Sequence, residues 1–402
     1  MIRYAEALAL IRENARDRAV SSEIVGLSDA LGRTTSDALF SREAIPPFDN
    51  SAMDGYALAA AKAASAPARL PVLGTVLAGD VPRCQAEAGA WRIMTGAPIP
   101  AGCDAVVPAE RARELDGGRV VETLDSVEPG DYVRGRGRDF AAGAEVCPAG
   151  ARLGARHLLA LAAVGVARVP VRRRPRVALV ATGRELAAPD MGLVPGRIHD
   201  ASSTYLSAML PALGAHFEFR GLVADDPKEF RAVLEKILKD RFDVVLTTGA
   251  VSMGVADFIP SALKDLGAEF VFHKVAIRPG KPVLFARFVD GPLCFGLPGN
   301  PISTVVGLRF FVEPCLRALL GRSPEAPFRA RLADDVAKPE GLRCFFKARR
   351  FDDGRVDALP GQASFQIRPL LSADCWAVLP EDGERAAKGA ELDAYPLLES
   401  LA

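Results

Sequence analysis

From Arg176 to Leu320 short apolar runs alternate with segments of helical period. Arg176 to Ala181, Phe217 to Val223, Asp243 to Thr248, Glu269 to Ala276, Val283 to Phe288 and Leu293 to Leu297 read as strands. Ser203 to Leu213, Pro227 to Arg241, Ile259 to Leu266 and Ser303 to Leu320 read as helices between or after them. A strand followed by a helix cannot return as a hairpin, so successive strands line up parallel with helices covering both faces. The pattern predicts a central, doubly wound, mostly parallel sheet.

The flanks obey a different pattern. Residues 1 to about 20 place Tyr4, Leu8 and Ile11 on one helical face, and His157 to Val166 reads as a buried helix. Between residues 47 and 140 short β-rich pieces separated by Gly and Pro predict an inserted β subdomain. Pro170 to Pro175 reads as a linker, with Arg172, Arg173 and Arg174 as a solvated charge run. After Gly321-Arg322-Ser323-Pro324 short strands return, as in a C-terminal β-barrel-like domain. The division expected is therefore 1–46 with 141–171 as an elongated N-terminal helical and linking region, 47–140 as its insert, 172–322 as the α/β domain, and 323–402 as the barrel. That makes a multi-domain chain of α/β and β classes. At about 150 residues per domain, the length agrees.

Charge and cysteine usage exclude several roles. Fifty basic residues balance fifty acidic ones, so nothing in the composition draws the chain to nucleic acid or to an anionic membrane. The longest apolar run, Leu158 to Ala167, is about half of a bilayer span. The seven cysteines include no Cys-x-x-Cys and no zinc spacing, and the opening residues lack the apolar core of a signal peptide. A cytoplasmic protein is expected.

In open α/β sheets ligands bind beyond the carboxyl ends of the strands. The residues there are Thr182-Gly183-Arg184-Glu185, Asp225-Asp226-Pro227, Gly249 to Asp257, Arg278-Pro279-Gly280-Lys281-Pro282 and Pro298-Gly299-Asn300-Pro301-Ile302-Ser303. Glycines admit phosphate oxygens to backbone N–H groups, Arg and Lys neutralise them, and carboxylates hold a bridging Mg²⁺. The set suits a phosphate-bearing ligand. Asp226 serves equally well as a helix N-cap, and the Pro-Gly turns as rigid connections. A basic loop carrying Arg134, Arg136 and Arg138 is a further anion candidate, whereas the four histidines receive no role.

Three segments carry a family resemblance: Pro47 to Ala57 (Pro-Phe-Asp-Asn-Ser-Ala-Met-Asp-Gly-Tyr-Ala), Arg92 to Pro98, and Arg136 to Asp139. They resemble the N-terminal signatures of the molybdopterin molybdotransferase family, to which the E domain of gephyrin belongs. Gly249 to Asp257, Arg278 to Pro282 and Leu297 to Ser303 resemble its central loops in the same order. The resemblance spans essentially the whole chain and implies the molybdopterin-binding fold for the central domain. It implies insertion of molybdate into adenylylated molybdopterin, with Mg²⁺-dependent release of AMP.

An elongated homodimer is also implied, with Asp54, Thr95 and Asp139 facing the central domain of the other subunit. By this match Asp54, Glu185 and Asp257 are catalytic, and Glu185 and Asp257 hold the metal. Thr182, Asp200, Asp226, Gly249, Ser252, Arg278, Lys281, Pro298, Asn300, Pro301 and Ser303 would line the substrate site, joined by Lys347 and Ser364 of the C-terminal domain. Partners would extend to the molybdopterin adenylyltransferase and to molybdoenzyme targets.

Departures from the family pattern are Arg184, Ala250, Ser202 and Arg278, and the stretch Leu342 to Lys347, where the family carries Arg-x-acid-Phe-x-Arg. Two other readings stand beside this one: an adenylyltransferase or nucleotide pyrophosphatase on the same central fold, and a non-catalytic scaffold.

Overall fold

The computed structural model describes residues 1–81, 89–249 and 258–397. Its centre is a six-stranded sheet made of β1 (Arg176–Thr182), β2 (His216–Val223), β3 (Val244–Thr248), β4 (Glu269–His273), β5 (Leu284–Arg287) and β6 (Leu293–Leu297), in the order β2-β1-β3-β6-β5-β4. The first four in that order are mutually parallel, and β5 runs antiparallel to both of its neighbours.

Alternation along β1 explains the double winding. Val177 and Leu179 pack with Leu206 and Leu210 of α1 (Ala201–Ala212), while Ala178 and Val180 pack on the other face with Phe230 and Leu234 of α2 (Pro227–Lys239). The helix α3 (Ile259–Asp265) shares the α2 face, and α4 (Pro301–Gly307) shares the α1 face. A π-helical turn, Leu308–Val312, carries α4 directly into a further helix, Glu313–Leu319.

Four expectations for the N-terminal region need correction. The helix Tyr4–Arg16 does not belong with residues 141–171; its Tyr4, Ala7, Ile11 and Ala15 are buried in the core of the central domain. The first half of the expected linker belongs to a strand, Arg168–Arg172, paired antiparallel with Ser22–Gly26, and only residues 173–175 connect it to β1. Nor is the arginine run merely solvated: Arg173 donates two 2.7 Å bonds to the Asp243 carboxylate, and Arg172 donates to the Val20 carbonyl at 3.0 Å. Finally, the helix Ala155–Ala163 buries only Leu161 and leaves Leu159 74% exposed, so it is a surface helix.

The insert folds around its own core of Tyr56, Leu58, Leu70, Val107 and Val121. Its six-stranded sheet contains Gly55–Leu58 and Ala90–Ile93 as antiparallel neighbours. At the other end of the chain Phe328–Leu332, Arg343–Arg350, Arg355–Ala358, Cys375–Leu379 and Glu391–Pro396 close into a five-stranded barrel, because Arg343–Arg350 pairs with both Arg355–Ala358 and Cys375–Leu379. Ile277–Arg278 joins the barrel strand Arg343–Arg350 in parallel, which ties the barrel to a loop at the sheet's rim. Among the described residues no helix is long and apolar enough to cross a membrane.

Candidate functional site

The loops after β1, β3 and β6 interlock at the carboxyl edge of the sheet. Thr182, buried at the end of β1, donates its hydroxyl to the Thr248 carbonyl at 2.9 Å and so joins the ends of β1 and β3. Directly beyond, Gly249 has φ 83°, and its amide donates to the Leu297 carbonyl at 3.0 Å. A Cβ on Gly249 would overlap the Thr182 carbonyl oxygen and lie 2.9 Å from its Oγ1, so only glycine fits. Gly299 approaches from the third side, its Cβ position 3.6 Å from the Gly249 Cα.

Glu185 stands over the same edge. Its carboxylate lies where a side chain on Gly183 would be, within 2.8 Å of the built Cβ, and among the described residues it has no hydrogen bond or ion pair. The carboxylate is therefore exposed and free to take a ligand.

The start of α4 is the meeting point of rim and barrel. Thr304 donates its hydroxyl to the Pro298 carbonyl at 2.7 Å, and its amide bonds the Asn300 carbonyl at 3.0 Å, which folds the Pro298 to Pro301 turn onto the helix. Gly280, with φ 98°, brings the Arg278 to Pro282 loop to within 3.6 Å of the Ser303 carbonyl oxygen, measured from its Cβ position. Arg278 and Lys281 flank that contact; both are exposed and, among the described residues, make no side-chain hydrogen bond or ion pair. From the barrel, the Ser364 carbonyl accepts the Ile302 amide at 3.0 Å. The Pro298 to Ser303 turn, the Arg278 to Pro282 loop and the backbone at Ser364 thus meet at one helix start.

Lys347 is not among them, and its expected place at the substrate is corrected. It is fully buried, and its ammonium donates to the carbonyls of Gly361 at 2.7 Å and Gln366 at 3.0 Å. Burial pushes its pKa down to about 8. Gln362 completes the clamp, accepting the Lys347 amide at 3.0 Å and donating to the Lys347 carbonyl at 2.9 Å. Lys347 braces the loop that carries Ser364.

Two of the expected carboxylates have structural tasks. Asp200 caps α1, accepting from the Ser203 amide at 3.0 Å and from the Ser203 hydroxyl. Asp226 caps α2 through the Lys228 amide at 2.8 Å, so its N-cap role accounts for it. Ser252 and Asp257 lie outside the described residues.

Asp54, Thr95 and Asp139 sit on the insert. One Asp54 carboxylate oxygen accepts both the Thr95 amide at 2.7 Å and its hydroxyl at 2.9 Å, and these two donors hold its carboxyl below the usual carboxylate range. Asp139 is exposed in the loop that follows Arg138. Among the described residues no hydrogen bond or ion pair ties these three to the rim.

Sequence reasoning passed over Thr248, Thr304 and the role of Ser202. The Thr248 hydroxyl is buried at the rim without a hydrogen-bond partner among the described residues. Its signal was available: polar Thr247-Thr248 ends the apolar β3 just before the glycine. Ser202 lies beside Gly299 and Thr304, at 3.4 Å from the Gly299 carbonyl.

Residues 2–165 match the family model of the MoeA N-terminal region (domain I and II), 178–318 that of a probable molybdopterin binding domain, and 329–397 that of the MoeA C-terminal region (domain IV). The central sheet therefore defines an α/β protein of the molybdopterin-binding fold. A solved molybdopterin biosynthesis MoeA protein from Pyrococcus horikosii superposes with TM-score 0.81 at 30% identity, over 97% of this chain and 98% of that one. The molybdopterin molybdenumtransferase of Synechococcus elongatus is 37% identical over 407 residues, covering 99% of this chain and 100% of the relative. That of Bacillus subtilis is 35% identical, covering 89% and 86%. The chain belongs to the molybdopterin molybdenumtransferase (MoeA) family and is a transferase of molybdenum cofactor biosynthesis.

Proposed function

We propose that this chain inserts molybdate into the dithiolene of adenylylated molybdopterin, with Mg²⁺-dependent cleavage of the phosphoanhydride and release of AMP. The observation that carries the reading is the convergence at the start of α4: the loop bearing the exposed Arg278 and Lys281 packs through Gly280 on Ser303, and the exposed Glu185 carboxylate stands at the same edge of the sheet.

The exposed Glu185 carboxylate is the kind of oxygen donor that magnesium takes. Among the described residues no three His, Cys, Asp or Glu cluster as a metal cage. Magnesium is commonly held by one or two carboxylates together with substrate phosphates, and Glu185 with Asp257 would supply those carboxylates. When bound there it would neutralise charge on the phosphoanhydride oxygens. The remaining work falls to the chain. Arg278 and Lys281 donate to oxyanion oxygens, and the barrel loop at Ser364 covers one side of the helix start.

The reading includes a homodimer in which Asp54, Thr95 and Asp139 of one protomer complete the partner's rim. Asp54, already ionised and held by Thr95, would be a fixed negative group facing the substrate. Partners would include the adenylyltransferase that supplies the nucleotide-bearing pterin and the molybdoenzymes that receive the product, with the cytoplasm as the compartment.

The test is purified protein with adenylylated molybdopterin, Mg²⁺ and molybdate. AMP release that requires both ions, and that Asp257→Ala abolishes without loss of fold, is expected. Undiminished release by that variant, or adenylylation of free molybdopterin from ATP with no need of molybdate, would overturn the reading.

A further inference from the structure

A cleft far from the rim is lined by five arginines and only two glutamates. It lies between the N-terminal helix Tyr4–Arg16 and the helix Glu313–Leu319, which begins three turns or so after the start of α4 and runs to the other end of the sheet. The segment Arg322 to Glu325 and Tyr395 of the last barrel strand close it. Three parts of the chain distant in sequence thus build its walls.

The charges do not balance. Arg309 forks onto Glu325 at 2.7 and 2.9 Å, and Arg317 bonds Glu313 at 2.6 Å, so both glutamates are engaged. Arg12, Arg16 and Arg322 remain, and among the described residues none of the three makes a side-chain hydrogen bond or an ion pair. Arg12 and Arg16 stand four residues apart on one helix, a like-charge spacing that disfavours the helix. Arg16, in the last turn, gains from the helix dipole, but Arg12 has no such reason to be there. Arg322 is partly withdrawn from water, and burial with the neighbouring Arg317 pushes its pKa down to about 10 against the opposing pull of Glu313 and Glu325. Both glutamates of the cleft are bonded to Arg309 and Arg317, so its lining carries more positive than negative charge.

We infer that this cleft is a second anion site, in which the forks of Arg12, Arg16 and Arg322 hold a dianionic tetrahedral phosphate group. Guanidinium groups match phosphate with paired N–H donors, which ammonium groups do not. The group's source is either inorganic phosphate or a phosphomonoester. Occupancy would clamp the N-terminal helix, the central domain and the barrel together.

Calorimetric titration with inorganic phosphate and, separately, glycerol phosphate distinguishes the sources. Saturable binding of one anion per chain is expected, at least about tenfold weaker in Arg12→Gln and in Arg322→Gln. Because Arg16 is exposed, Arg16→Gln guards against loss of fold and must weaken binding too. At a fixed phosphate concentration the rise in Tm should be clearly larger in wild type than in Arg322→Gln. Equal binding and equal Tm shifts in wild type and all three variants would overturn the inference, as would the absence of saturable binding by either anion.

Discussion

The rim of the central sheet and the barrel loop that meets it reach the same helix start by opposite means. The rim is assembled from backbone: Gly249 and Gly299 are in near contact, and Thr182 and Thr304 turn their hydroxyls onto neighbouring carbonyls. The barrel side relies on one buried cation, Lys347, which holds two carbonyls of the loop that delivers Ser364 to Ile302. A backbone-built rim tolerates no added atom, whereas a charge-held loop depends on protonation and on one side chain.

The largest effect should come from Gly249→Ala. The methyl faces both a positive φ, at about 1 kcal/mol, and overlap with Thr182, at about 1–3 kcal/mol. Chemical denaturation should show a loss of about 2–4 kcal/mol, with activity gone even at temperatures where the variant is folded. Next, Lys347→Met keeps the volume but leaves the Gly361 and Gln366 carbonyls without their donor, which costs about 1–3 kcal/mol. It should also slow the reaction by loosening Ser364.

The two regions should also answer differently to alkali. Lys347 has a lower pKa folded, about 8, than unfolded, so between that value and the ordinary lysine range the unfolded chain binds more protons. Stability therefore rises with pH through that window, by about 1–3 kcal/mol relative to Lys347→Met. Thermal melts of both proteins at pH 7 and pH 10 measure it, and parallel shifts would show that Lys347 does not contribute. The smallest effect is expected for Arg173→Met, which removes a half-exposed fork onto Asp243 on the far side of the sheet. It should cost about 1 kcal/mol and leave turnover unchanged.

Most of the central sheet was legible because period and composition are local signals: β1 and β3, two of its inner strands, appear in the sequence as apolar runs ended by threonine and glycine. The rim followed from that, since the carboxyl ends of parallel strands are the only place where those loops converge. What escaped was long-range. Arg173 looks solvated until Asp243, 70 residues away, is placed beside it. Lys347 looks like a surface charge until the barrel closes over it. The N-terminal helix shows its apolar face but not the core it joins. Asp200 and Asp226 carry residue types equally suited to capping and to ligation, and local hydrogen bonds decided for capping.

The central claim is that one protomer's rim works with its partner's insert. Asp54→Asn and Glu185→Gln subunits, each inactive alone, should on co-folding recover about a quarter of the wild-type rate of AMP release, because half the dimers are mixed and each mixed dimer has one intact site. A mixture no more active than its two components would contradict the account.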